Sequence, residues 1–174
     1  MMNKKTKNND THEKKKVKGK LNQAQRADRH ALYEMSVQET EAEFEFIEGS
    51  FYQLRGRRPV SLREDFCGTA NMCCEWVRQR RKNTAVGVDL DAEVIAWGMA
   101  HHGEALKSQQ RERVSVLQKD VLKVKTEPVD VITAMNFSYQ IFKDRAVLRR
   151  YFRRVKQGLV DDGVFILDSF GGYD

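Results

Sequence analysis

The stretch at 61–76, "SLREDFCGTANMCCEW", decides how this chain is read. A short lead-in with alternating apolar residues ends in two acids. A single glycine follows at Gly68, and then a run with helical spacing through "NMCCEWVRQRR". Such a pattern is a strand that turns sharply into a helix. The turn has three chemically distinct uses: a cofactor cradle, a metal site built from cysteines, or a tight corner in a core. The residues around it separate them.

Downstream, strand and helix patterns alternate. "TAVGVDL" reads as a second strand, and Asp91 as the cap of a helix carrying Val94, Ile95, Trp97, Met99 and Ala100 towards Gly103. "RVSVLQKD" is a third strand, and "VDVITAM" is an apolar run suited to a central strand buried on both faces. Asp144 caps a helix with Val147, Leu148, Tyr151, Phe152 and Val155 on one side. Gly158 closes that helix, "DDG" is expected to form a turn, and "VFILDSF" is a fifth strand. Right-handed crossovers between these units predict an α/β fold with a doubly wound, mostly parallel sheet.

Upstream, residues 21–35 and 37–54 read as two helices, with Ser36 and Glu39 spaced as a capping box. The second helix holds Ala42, Phe44, Phe46, Ile47, Phe51, Tyr52 and Leu54, and Gly56 and Pro59 end it. Residues 1–20 contain eight lysines against Asp10 and Glu13, which accounts for the whole formal charge of +6. Too polar to bury a core, that tail is expected to be disordered, and it is the one place where nucleic acid could bind. The organisation predicted is a basic tail at 1–20, a helical lid at 21–56 and an α/β domain at 57–174. Of the 174 residues 40% are hydrophobic, with no run long enough to span a bilayer and no signal peptide. A cytoplasmic protein with no membrane partner is expected, and three clustered cysteines suit a reducing compartment.

In a doubly wound sheet, ligands bind beyond the carboxyl ends of the strands. Those ends here are Glu64 to Ala70, Asp89, Asp120, Asn136 to Tyr139, and Asp168. Asp89 closes the second strand 21 residues after Gly68, the position of an acceptor for two ribose hydroxyls. A pyrophosphate would want three glycines and no acids at the turn. Glu64 and Asp65 repel phosphate and favour a nucleoside carrying a positive charge, which disfavours a nicotinamide-dependent oxidoreductase. Cys67, Cys73 and Cys74 lack the paired spacing of structural zinc sites, so no metal is expected. Cys73 and Cys74 read as small core residues, and Cys67, in the turn itself, as part of the cofactor site. His101 and His102 read as helix-end residues, and the arginines at 145, 149, 150, 153 and 154 as a solvated face.

With these residues in place, the chain resembles the class I S-adenosylmethionine-dependent methyltransferases over roughly residues 60–174. Their acidic-x-Gly-x-Gly-x-Gly motif stands here as Glu64-x-Phe66-x-Gly68-x-Ala70. "VGVDLD", "LQKDV", "VDVITAMNFSY" and "VKQGLVDDGVFILD" follow in the family's order, and the string "LREDFCGTA" resembles a less characterised branch. The resemblance implies S-adenosyl-L-methionine as cofactor. Glu64 would receive its ammonium, Gly68 and Thr69 its carboxylate, and Asp89 its ribose, with Leu90 against the adenine. Asp120 would accept from the adenine amino group with Val121 beside it, and Asn136 would pass under the sulfonium. Ala70 is expected to cost little if its backbone is helical. The ring of Phe66 must point away from the cofactor or wall its pocket. Tyr139 is the expected contact for an unidentified methyl acceptor, and Tyr33 and the first two helices would form a lid. Because the chain stops after the fifth strand, the family's last hairpin is expected to be missing, as in a piece of a longer protein. A cofactor-binding domain without catalysis, acting through partners, is the alternative reading.

Overall fold

The computed structural model describes residues 27–37 and 39–169. The basic tail, the first residues of the predicted lid and the terminal "FGGYD" lie outside them. The elements run α1 (Arg29–Val37), α2 (Thr40–Arg55), β1 (Ser61–Asp65), α3 (Asn71–Gln79), β2 (Thr84–Asp89) and α4 (Ala92–Gly98). A π turn (Met99–Gly103), α5 (Ser108–Arg111), β3 (Val114–Gln118) and β4 (Val129–Ala134) follow. The last are a 3-10 turn (Ser138–Ile141), α6 (Arg145–Gln157) and β5 (Leu159–Leu167).

The five strands are all parallel, in the order β3-β2-β1-β4-β5. Chain order therefore reverses between β1 and β4, and a crevice opens there at the carboxyl edge. Every residue of β4 is buried, as its unbroken apolar run requires of a strand covered on both faces. Alternation along β1 divides the core. Leu62 packs with Phe44, Ile47, Phe51 and Trp76 on one face, while Val88, Ile132, Tyr151 and Val155 fill the other.

Local chemistry sets most element ends. The Asp91 carboxylate accepts from the backbone N–H of Glu93 and Val94, and Asp144 does the same for Ala146 and Val147. Gly56 ends α2 in the left-handed region at φ 67°, where its N–H reaches the Tyr52 carbonyl. The capping box at Ser36 is not formed. Ser36 lies inside α1, where its hydroxyl donates to the Leu32 carbonyl at 2.8 Å, and α2 starts with no side-chain cap. Nor is "DDG" a separate turn: it lies within β5 as a bulge. The pairing jumps from Val129–Leu159 to Val131–Val164, and Arg57 ties Asp162 to Asp130 with contacts of 2.8 and 2.7 Å. Of the apolar residues of α2, Phe44, Ile47 and Phe51 face the core, whereas Phe46, Tyr52 and Leu54 project outward.

Candidate functional site

Four non-glycine residues among those described have positive φ: Phe66 (61°), Ala70 (56°), Asn136 (56°) and Phe137 (56°). All four lie in the loops after β1 and β4, the two strands that flank the reversal of chain order. Each costs roughly 1–2 kcal/mol of backbone energy, and such strain gathers where geometry serves a site. Ala70 corrects the sequence reading: it is left-handed at φ 56°, ψ 27°, not helical, so its methyl group is a steric cost.

The turn is held from three sides. The Cys67 N–H donates to the Val88 carbonyl at 3.1 Å, and the Ala70 N–H to the Cys67 carbonyl at 2.8 Å. The Gly68 N–H donates to Asp89 at 2.9 Å. Beneath it, Gly98 of α4 approaches so closely that a Cβ there would stand 2.0 Å from the Thr69 carbonyl oxygen. From above, Glu34 of α1 accepts from the Thr69 hydroxyl and meets His102 Nε2 at 2.8 Å. The predicted lid thus reaches the turn through Glu34, while Tyr33 is half exposed. His101 stacks on Trp97 with ring centroids 3.8 Å apart and reaches the Trp97 carbonyl, as a helix-end residue can.

Strand alternation gives the two neighbouring acids different work. Asp65 points to the α6 face, where it is paired with Arg63 at 2.7 and 3.0 Å and accepts from the Tyr151 hydroxyl at 3.0 Å. It is a core ion pair. Glu64 points to the α3 face, buried, with the Cys73 thiol donating to it at 3.1 Å. Burial, and after it the like charges of Glu43 and Asp89, push its carboxyl up to about 8. The Glu43 carboxyl is raised too, by burial and by Asp168. Asp168 therefore bears on Glu43, and Glu43 and Asp89 bear on Glu64, along the carboxyl edge, where a bound cation would favour the ionised form of Glu64.

A cavity of about 220 Å³ lies beside the turn, lined by Phe66, Asp89, Leu90, Lys119, Asp120, Val121, Ile141 and Phe142. Asp89 enters it with one oxygen holding the Gly68 N–H and the other the Asp91 N–H at 2.9 Å. Each oxygen keeps a free acceptor site for a ligand hydroxyl. Asp120 is held by the Leu122 N–H at 2.8 Å. Phe66 forms a wall, its ring stacked at a tilt on Phe142 with centroids 5.9 Å apart. Leu90 is an exposed lip and Val121 a buried floor.

Other expected site residues lie apart from this cavity. The Cys67 side chain is not in the site. It is buried beneath the turn, where a Cβ at Gly87 would come within 2.8 Å of its sulfur, so only the Cys67 backbone borders the crevice. Cys73 and Cys74 are fully buried, as small core residues should be. Among the described residues no group of three His, Cys, Asp or Glu could hold a metal. Asn136 sits at the end of β4, in a loop tied to β5 by the Phe137 N–H donating to Asp168 at 2.8 Å. The Tyr139 ring packs near Phe152 with centroids 6.4 Å apart. No helix among the described residues is long and apolar enough to cross a membrane.

The sequence reading missed Glu34 and Glu43. Both sit on helices, and only the seating of those helices on the strand ends brings them to the edge.

No protein-family model and no curated protein matches the chain. Solved structures do. A sugar N-methyltransferase from Streptoalloteichus superposes with a TM-score of 0.64 at 21% identity, over 91% of this chain and 58% of that one. An amino pentose methyltransferase from Micromonospora echinaspora, with S-adenosylmethionine bound, gives 0.66 at 14% identity, over 89% and 59%. An S-adenosylmethionine-dependent methyltransferase from Clostridium acetobutylicum gives 0.65 at 20% identity, over 79% and 54%. The chain thus spans somewhat over half the length of each of these structures, and what it shares with them is the Rossmann-like methyltransferase fold.

Proposed function

We propose that this chain, with the fold of the S-adenosylmethionine-dependent methyltransferases, binds S-adenosyl-L-methionine along the carboxyl edge of β1, β2 and β3 and moves its methyl group to an acceptor. The observation that carries this reading is the row Asp120, Asp89 and Glu64. These acids close three neighbouring strands around a left-handed turn, and the charges bearing on Glu64 share its sign. A pyrophosphate would bring further negative charge to this edge, whereas a ligand ammonium gives the buried Glu64 a partner that favours its ionised form.

In this reading Glu64 receives the ammonium, and the backbone of Gly68 and Thr69 approaches the carboxylate. Asp89 takes the ribose hydroxyls on its two free acceptor sites. Asp120 and Val121 border the adenine, with Leu90 and Phe66 as walls, and Asn136 lies below the sulfonium. The cofactor supplies an activated methyl carbon whose leaving group is a neutral thioether. What the chain contributes is alignment and exclusion of water, so no covalent residue is required. Phe66 and Phe142, in ring contact, give the pocket an apolar side.

Calorimetric titration with S-adenosylhomocysteine, with NAD as control, tests the proposal. Binding of the first alone is expected, weakened at least about tenfold in Asp89→Ala through lost hydrogen bonds. Circular dichroism checks that this variant folds. Binding of NAD in preference to S-adenosylhomocysteine would overturn the reading.

A further inference from the structure

Resting on that reading, we propose that a second cavity, beside the cofactor site, takes a methyl acceptor bearing an amine, held through Glu43. This cavity of about 460 Å³ lies between the lid helices and the carboxyl end of β4. Met35, Ala42, Phe46 and Met135 give it apolar walls, and Glu39, just before α2, and Glu43, in its first turn, give it two carboxylates. Its lining includes no basic side chain.

Two further observations concern the surroundings of Glu43, the first of them its charge. Asp168, fixed by the Phe137 N–H, adds its negative charge at Glu43, which in turn acts on Glu64. The acceptor cavity and the cofactor edge therefore share one run of carboxylates. Thr133, fully buried, has a hydroxyl oxygen without a partner. It pairs in register with Glu64, so the two side chains share one sheet face. A neutral alcohol offers this cavity no counter-charge, whereas an ammonium does.

The same group serves the chemistry. An amine must be unprotonated to attack. Burial and Asp168 make Glu43 a better base than an exposed carboxylate. The bound ammonium gives one proton to Glu43. The freed lone pair on nitrogen forms a bond to the methyl carbon as the carbon–sulfur bond breaks, its electron pair staying on sulfur. An amine and a sulfonium become a methylated ammonium and a thioether, and Glu43 passes its proton to water.

Matched pairs of probes test this on the chain loaded with S-adenosylhomocysteine: benzylamine and benzyl alcohol, cyclohexylamine and cyclohexanol, glucosamine and glucose. At least one amine should bind about tenfold or more tightly than its alcohol, and Glu43→Gln should erase that preference. S-adenosylhomocysteine affinity is measured in both proteins. If the wild type binds S-adenosylhomocysteine but prefers no amine to its alcohol, the amine proposal falls and the methyltransferase reading stands. Amine preference that persists in a Glu43→Gln variant that still binds S-adenosylhomocysteine also overturns it. If the wild type does not bind S-adenosylhomocysteine, both readings fall. The wild-type amine-to-alcohol ratio decides the matter even if the variant does not fold.

Discussion

Replacing Glu64 by glutamine keeps its shape and removes its titration. The Glu64 carboxyl lies at about 8 in the folded protein against an ordinary 4.5. Between those values the folded state holds a proton that the unfolded state has released, so stability falls as pH rises. A shift of this size amounts to about 2.5 kcal/mol lost between roughly pH 6 and 8.5, and relaxation of the buried site reduces that to about 1–2 kcal/mol. Urea unfolding of both proteins across that range measures it. The wild type should lose about 1–2 kcal/mol more than Glu64→Gln, whose amide oxygen can still accept from the Cys73 thiol. A second measurement sharpens the test. Near pH 7 Glu64 is mostly protonated, so binding an ammonium there should release a large part of a proton. Calorimetry with S-adenosylhomocysteine in buffers of different ionisation enthalpy reads that release directly. Parallel stability profiles in the two proteins, or a wild type that binds without proton release, would refute the assignment of Glu64 as a buried acid awaiting a cation.

Three other substitutions test the frame around the site. Helix propensity alone says that Gly98→Ala should stabilise by about 1 kcal/mol, but the 2.0 Å approach to the Thr69 carbonyl reverses the sign. A net loss of about 2–3 kcal/mol in urea unfolding is expected, and any gain would contradict the packing of α4 under the turn. Asp130→Ala removes the acceptor for Val60 N–H, Ser61 N–H and Arg57, and should cost about 3 kcal/mol with the m-value unchanged. Glu34→Ala cuts the link from α1 to Thr69 and His102, and should lower amide-exchange protection in α1 by about tenfold while leaving β4 protected.

The sheet was legible because its signals are local. The apolar run 129–134, the caps at Asp91 and Asp144 and the acids at strand ends each declare themselves within a few residues. What failed depended on partners far along the chain. Ser36 satisfies a carbonyl four residues back because α1 continues through it. "DDG" bulges inside β5 because Arg57, more than a hundred residues earlier, holds Asp162. Cys67 belongs to the core because Gly87 on the neighbouring strand leaves room for its sulfur. Ala70 had to be left-handed for α3 to start where it does. For the same reason the strand-end acids could be named from spacing, while Glu34 and Glu43 could not: their place follows from how two helices settle on the sheet.

The three thiols under the turn give the molecule a clock. Burial removes Cys67, Cys73 and Cys74 from solvent and pushes each thiol upward, Cys74 to about 11, so the native state is slow to alkylate on two counts. A thiol reagent can reach them only when the strand-to-helix corner opens. The labelling rate therefore times that opening. Any molecule that seats on the corner must slow the clock, by a factor set by its concentration over its dissociation constant. The protein needs no introduced cysteine to report what binds there.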